Sequence, residues 1–298
     1  MRNRIAYSQN FLKDKGLVAK LIASTSLNDQ DTVYEIGVGQ GIITEQLLSK
    51  VKKVVAFEID KNLYEKLSQR FSGQSSLELK LGNFLDYQLP NYSYKVFSNI
   101  PFNITSAIVK KLTTTSTPPT DTYLFVQKEA ARKFIGKPFD IKNSQLAVLL
   151  HPWFNLEVVH KFNPNDFFPK PMIDIVLMRI EKRDKPLIEN RDKRLYEDFI
   201  VYTFNQFKPN VVEGLARVIS KDGMNRLANQ LGFKPTSKPS ELDYAHWQGL
   251  FTHLLTQIDE SHRQIVKGAS NRLATQQDKL EKANRTRNDP NWKQYIKR

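Results

Sequence analysis

A chain of 298 residues, 40% of them hydrophobic, can bury a large core in one principal domain and still build a smaller second one. It contains no cysteine, which excludes disulfides, thiolate chemistry and Cys-ligated zinc, and its first residues lack the apolar core of a signal peptide. Its longest apolar stretch, 146–154, is interrupted by His151 and Pro152 and falls well short of the roughly 20 residues a membrane helix needs, so the expectation is a soluble, cytoplasmic protein; a net charge of +14 points to a polyanionic partner, with nucleic acid favoured over membrane.

In chain order, residues 33–36 read as a short buried strand, followed by a glycine loop and a helical pattern over 42–48. A second strand is predicted at 54–59 and a helix at 61–71, with Leu63, Leu67 and Phe71 on one face. Strands at 77–81 and 94–98 follow, then a helix over 106–112 and a Thr/Pro linker at 113–119. A strand at 123–126 leads into a helix near 128–134, and 156–162 with 173–180 form a closing pair. Strand and helix in alternation imply a mostly parallel sheet with helices on both faces. A charged, irregular segment at 181–192 then gives way to helical patterns at 195–207, at 225–231 and from about 240. The last of these has Trp247, Leu250, Phe251, Leu254 and Ile258 on one face.

Two motifs carry chemistry. Glu35-Ile36-Gly37-Val38-Gly39-Gln40-Gly41 follows the first strand directly, where backbone must approach a ligand closely. The nicotinamide fingerprint places its third glycine one position later. Glycines at alternate positions argue instead for S-adenosylmethionine, with the backbone of Gly37, Gly39 and Gly41 shaping its site. The second strand ends in Glu58-Ile59-Asp60, about 20 residues on, where a carboxylate can accept the ribose hydroxyls. Glu58 suits that task, whereas Asp60 suits the cap of the next helix.

The second motif is Asn99-Ile100-Pro101-Phe102-Asn103, at the end of a strand. An exocyclic amine on a nucleobase is a poor nucleophile because its lone pair is delocalised into the ring. Two acceptors aimed at its N–H groups, the Asn99 side-chain oxygen and the Ile100 carbonyl, favour the pyramidal nitrogen that can attack. Pro101 fixes φ and turns that carbonyl out of the strand, and Phe102 offers a face on which a base can lie. The five histidines are scattered and suggest no metal; His246 and His253, seven apart on one helix, read as surface residues.

From about Tyr7 to about Ile258 the chain resembles the erythromycin-resistance (Erm) family of 23S rRNA adenine N6-dimethyltransferases, within the rRNA adenine dimethylase superfamily. The likeness rests on Ser8-Gln9-Asn10-Phe11-Leu12, the Glu-Ile-Gly-x-Gly-x-Gly loop, Glu58, Asn99-Ile100-Pro101-Phe102-Asn103-Ile104-Thr105 and Phe167-Phe168-Pro169-Lys170-Pro171. It implies a Rossmann-like methyltransferase domain and a helical RNA-binding domain, with Gln9, Asn10 and Leu12 over the cofactor and Ile59, Phe84 and Asn99 beside it. It further implies an adenine pocket built from Phe102, Asn103 and Phe167. Where the family usually has an acidic acceptor for the cofactor's adenine amine, this chain has Asn83 after Gly82; Asp86 is a weaker stand-in.

The small-subunit relatives, which act on 16S-type rRNA in ribosome assembly, usually have Asn-Leu-Pro-Tyr and an Arg-Arg-Lys-Thr-like run early in the helical domain. Here Asn99-Ile100-Pro101-Phe102 and Phe204-Asn205-Gln206-Phe207-Lys208-Pro209 stand instead, which favours the Erm side. The expected acceptor is naked or precursor 23S rRNA, and the expected consequence is resistance to macrolides, lincosamides and streptogramin B. A small-subunit dimethyltransferase, a mainly RNA-binding assembly factor and a DNA adenine methyltransferase are the alternatives, the single Pro101 counting against the last.

The expected organisation is a monomer with a methyltransferase domain over 1–181, a helical domain over 182–260 and a tail over 261–298. That tail carries ten Lys or Arg against three acidic residues and few apolar side chains, so it is expected to stay unfolded alone and to grip RNA phosphates, with Trp292 and Tyr295 available to stack on bases.

Overall fold

The computed structural model describes residues 10–278. The chain enters as a two-residue strand β1 (Phe11–Leu12) and a helix α1 (Lys15–Ala23). It then alternates through β2 (Thr32–Ile36), α2 (Ile42–Leu48), β3 (Lys53–Glu58), α3 (Lys61–Arg70), β4 (Leu77–Leu81), β5 (Lys95–Asn99), α4 (Thr105–Thr114), β6 (Asp121–Gln127) and α5 (Lys128–Ile135). Helix α6 (Gln145–Leu150) leads to β7 (Phe154–Lys161), β8 (Phe167–Phe168) and β9 (Ile175–Lys182). Helices complete the described chain: α7 (Lys193–Phe204), α8 (Val211–Leu215), α9 (Lys221–Leu231), α10 (Tyr244–Gln257), α11 (Glu260–Val266) and α12 (Ala269–Asp278).

Seven strands form one sheet in the order β4-β3-β2-β5-β6-β9-β7. The first five are parallel; β9 runs antiparallel to β6 and to β7, so the pair expected to close the sheet does so as a hairpin on one edge. Alternation along each strand sends side chains to two cores. In β3, Val54 and Ala56 meet Val18, Leu21, Ile22, Ile43, Leu47 and Leu67 from α1, α2 and α3, while Val55 and Phe57 face the core that holds Ile108, Val109 and Leu112 of α4. Both faces are covered, and the inner strands β3 and β6 accordingly carry continuous apolar runs, whereas the edge strand β4 alternates leucine with Glu78 and Lys80.

The second core continues without a break into the helical region. Tyr196 of α7 donates to the Val148 carbonyl at 2.9 Å and packs edge-on to Trp153 with centroids 5.5 Å apart. Tyr244, heading α10, donates to the Ile135 carbonyl at 2.6 Å and lies flat on His151, whose protonation burial pushes down to about 4. His246, expected on the surface, is half-buried against Phe233, and its Nδ1 accepts the Asp243 N–H at 3.0 Å as part of the cap of α10.

The stretch 261–278 departs from the expectation of an unfolded tail. It completes α11 and forms α12, both lying on α7, with Val266 wholly buried and Ala269 nearly so. The cause is a partner outside the stretch: the buried Asp198 carboxylate accepts the N–H groups of Gly268 and Ser270 at 2.8 and 2.9 Å, fixing the start of α12. Residues 279–298, including Trp292 and Tyr295, lie outside the described residues, as does Gln9.

Candidate active site

After β2 the chain crosses through α2, α3 and β4 on one side and returns to β5 on the other, so the strand order reverses between β2 and β5. Crevices at such switch points, beyond the carboxyl ends of the strands, are where open α/β sheets bind ligands. Here the ladder between β2 and β5 stops early: Ser98 Oγ takes over, accepting the Ile36 N–H at 3.0 Å and donating to its carbonyl at 2.6 Å. The two strands diverge there, and the crevice lies between the loop after β2 and the turn after β5.

Its lining brings together Asn10, Leu12, Gly37, Gly39, Asn99, Ile100, Pro101 and Phe102 of the residues expected from the sequence, with Phe11, Val38, Gln40, Ile42 and Ile43 in addition. Gly37 and Gly39 adopt φ of +78° and +58°, a region that strains any other residue. At Gly39 space also forbids a side chain, because a Cβ would stand 2.8 Å from the Phe11 ring. Gly41 serves elsewhere: it caps α2 at φ +76°, and a Cβ there would meet Leu67 and Phe71 of α3 at 2.9 and 3.0 Å, so it permits close helix packing and does not line the crevice.

Glu58, at the end of β3, is buried and accepts three backbone N–H groups: Gly39 on Oε2, and Ile59 and Asp60 on Oε1, all at 2.9 Å. It therefore braces the glycine loop, a use the sequence pattern does not reveal, and keeps a free lone pair on Oε2 for a hydroxyl. Ile59 beside it is 58% exposed, an apolar side chain left open at the strand's end. Beneath the loop, Glu35 is buried with Oε2 held by the Thr44 hydroxyl at 2.6 Å and Oε1 without a partner among the described residues. Burial pushes its carboxyl up to about 8; the Thr44 hydrogen bond opposes this and the nearby Glu58 charge adds to it.

On the other wall, Asn99 Nδ2 donates to the Asn10 carbonyl at 2.8 Å. That bond fixes which end of the amide is spoken for and leaves Oδ1 as the free acceptor. Asn10 is itself tied down, its Nδ2 donating to the Pro169 carbonyl at 2.7 Å, while β1 pairs antiparallel with β8 through Phe11↔Phe168 and Leu12↔Phe167. The Ile100 side chain is buried, and its carbonyl accepts no hydrogen bond from the described residues. Pro101, at φ −61°, starts the one-turn helix Phe102–Ile104, in which Phe102 is half-buried and Asn103 exposed.

Besides Gly41, three further expected residues stand elsewhere. Phe167 is 1% exposed and packs edge-on to Phe162 with centroids 5.3 Å apart, in the core rather than at a pocket wall; alternation along β8 turns Phe168 outward instead, 67% exposed. Phe84 is buried against Phe57, centroids 5.2 Å apart, and does not reach the crevice. Asn83 caps the short helix after β4, its Oδ1 accepting from Leu85 N and its Nδ2 donating to Asp86, both at 3.1 Å, and it too lies outside the lining. Among the described residues no three metal-ligating side chains come together.

A mostly parallel α/β sheet with a glycine loop at its switch point, a braced strand-end carboxylate and an Asn-Ile-Pro-Phe turn across the crevice has the fold of a methyltransferase. The ribosomal RNA adenine dimethylase profile matches residues 1–234, and the chain belongs to that family, as an S-adenosylmethionine-dependent rRNA (adenine-N6)-methyltransferase. It is 29% identical over 270 residues to the ribosomal RNA small subunit methyltransferase A of Caldanaerobacter subterraneus, covering 87% of this chain and 100% of that one. It is 30% identical over 253 residues to an rRNA adenine N-6-methyltransferase of Saccharopolyspora erythraea, covering 85% of this chain and 66% of that protein. The crystal structure of the 23S rRNA methyltransferase ErmE superposes with a TM-score of 0.76 at 28% identity, over 83% of this chain and 100% of ErmE.

The residues present fit that cofactor: left-handed φ at Gly37 and Gly39 brings bare backbone to the crevice, and Glu58, buried behind the glycine loop and outside the lining, holds that loop in place.

Proposed function

We propose that this enzyme methylates N6 of a specific adenine in 23S rRNA, accepted as protein-free or precursor RNA, and that the modification confers resistance to macrolides, lincosamides and streptogramin B. The observation that carries this reading is the likeness to ErmE over its whole length. The Phe204–Pro209 segment supports it, lacking the Arg-Arg-Lys-Thr-like run usual in small-subunit relatives. A second reading, a small-subunit methyltransferase, is favoured by the Caldanaerobacter relative, which is matched from end to end.

In this reading Gly37, Gly39, Asn10 and Leu12 hold the cofactor, Glu58 accepts its ribose hydroxyls and Ile59 packs beside its adenine. Gln9 joins them in the proposal from outside the described residues. Asn83 and Asp86, already joined, offer an acceptor to the cofactor's adenine amine. Bound there, the cofactor supplies a sulfonium methyl as electrophile. The target adenine leaves its stack and lies on Phe102. Asn99 Oδ1 and the Ile100 carbonyl accept its two N6–H bonds and stabilise the positive charge that develops on nitrogen as the methyl transfers. The proton then leaves to water. Positioning and fixed dipoles supply the rate, with no side chain needed as a general base.

The test is mass spectrometry of 23S and 16S rRNA from a susceptible bacterium with and without the protein, alongside macrolide tolerance. A methylated adenine in 23S rRNA with raised tolerance is expected. Methylation confined to 16S rRNA would select the second reading.

A further inference from the structure

Phe207 is the only non-glycine residue with positive φ among those described, at +52°, and it is 97% exposed. A bulky side chain in the left-handed region is strained, and such outliers persist only where the surroundings dictate them; they gather at functional sites. Here both flanks are pinned. Asn205 Nδ2 donates to the Val201 carbonyl at 2.7 Å and to Gln145 Oε1 at 2.9 Å, and Gln206 Nε2 donates to the Tyr202 carbonyl at 3.1 Å. On the far side, Asn210 caps α8 by accepting the Glu213 N–H at 2.8 Å, and the Val211 N–H is fixed to the Ser237 carbonyl at 3.0 Å.

Between those anchors Phe207, Lys208 and Pro209 all stand in solvent, and no carboxylate among the described residues pairs with Lys208. Among the described residues this phenyl ring packs on no other ring, and glycine would relieve the turn. The bond to Gln145 ties the turn to α6, whose capping Ser144 bonds in turn to the Lys133 carbonyl in α5, the helix that begins where β6 ends beside β5.

We propose that Phe207 is a stacking platform for an unpaired base of the rRNA substrate, with Lys208 on the adjoining phosphate. The inference rests on the rRNA substrate but not on which rRNA it is. A flat apolar face beside an unpaired cation, on a chain of charge +14, suits single-stranded RNA, whose bases each present a π-face and whose backbone supplies the anion. Substrate grip is thus placed on a rigid turn remote in sequence from the Asn99 motif.

The test uses the full-length enzyme on transcribed 23S and 16S rRNA, scored on whichever the wild type methylates. Phe207→Gly and Phe207→Leu should raise the RNA KM by roughly 5- to 150-fold, the range expected for one lost stacking contact, with kcat and cofactor Kd unchanged. Phe207→Trp should retain the wild-type KM. Lys208→Ala should reduce the salt slope of RNA binding by about one. Phe207→Gly should also melt no lower than wild type, since it relieves the left-handed strain. Wild-type KM in both the Gly and Leu variants would overturn the proposal and point to a protein partner. A lowered Tm for Phe207→Gly would overturn it in favour of a structural residue. A wild type that methylates neither RNA would instead sink the proposed function itself.

Discussion

At the carboxyl ends of β2 and β5 the contacts that matter join polar side chains to backbone: Glu58 to the glycine loop, Ser98 across the strand gap, Asn99 to Asn10. In the helical region they join large rings to one another. Phe204 stacks on Trp247 with centroids 5.3 Å apart, Phe199 meets Phe251 at 6.0 Å, and Tyr196 meets Phe251 at 5.1 Å. The first kind of contact fixes where a few atoms sit and contributes modestly to stability. The second fixes little beyond the packing of helices but supplies much of the burial. Substitutions in the two regions should therefore fail in opposite ways, one in rate and one in folding.

The sharpest break is at Asn99. Its Oδ1 acts on charge that develops during transfer, so Asn99→Ala should lower kcat by at least about 10³-fold and leave cofactor Kd within a few-fold. Phe102→Ala should follow with a loss of roughly 5- to 150-fold. Single-turnover methylation and calorimetric cofactor titration read the two quantities apart; affinity falling in step with rate would remove Asn99 from transition-state stabilisation. Trp247→Ala is the counterpart. This side chain is 1% exposed at the centre of the ring cluster, and its loss should cost about 3–5 kcal/mol of folding free energy in urea melts. The fraction that remains folded should turn over normally.

The same contrast explains what can be read from sequence. Strand alternation, the glycine spacing and the Asn-Ile-Pro-Phe turn are local patterns, and the sheet with its switch-point crevice follows from them. Local pattern fails where a distant group decides. Phe167 and Phe168 are chemically identical neighbours, and only the pairing of β8 with β1 settles which one is buried. Residues 261–278 look too polar to fold until Asp198, some 70 residues earlier, accepts the N–H groups that begin α12. Helix α1 was open to prediction, since Asp14 accepts from Gly16 and Leu17 N and Val18, Leu21 and Ile22 share a face, but it is short and lies before the first strong motif.

A smaller effect should come from breaking that remote cap. Asp198→Ala leaves the Gly268 and Ser270 N–H groups without their charged acceptor and removes the neighbour 3.7 Å from Arg194. A loss of about 1.5–3 kcal/mol is expected, concentrated in α12. Limited proteolysis should then cut near residue 268 well before the sheet is attacked. An unchanged digestion pattern would mean that α12 is held by Val266 and Ala269 packing alone.

The smallest expected effect sharpens the comparison within the crevice. Glu35 is buried under the glycine loop with its carboxyl pushed from the usual 4.5 up to about 8 by burial. The unfolded chain releases this proton near 4.5 and the folded chain only near 8, so between those values the folded state binds more protons. Stability should therefore be full below about pH 4.5 as far as this group is concerned, and decline as pH rises towards 8. Glu35→Gln keeps the acceptor for Thr44 and removes the ionisation. Its folding free energy from melts, compared with wild type at each pH, should gain steadily from pH 5 to pH 8, by an amount on the order of 1–2 kcal/mol at the upper end once relaxation and the cost of a buried amide are allowed for. Parallel curves would show that the carboxyl ionises as it does in water. In that case Glu35 is reached by solvent from the cofactor crevice, and the glycine loop above it opens more readily than its bonds to Glu58 imply.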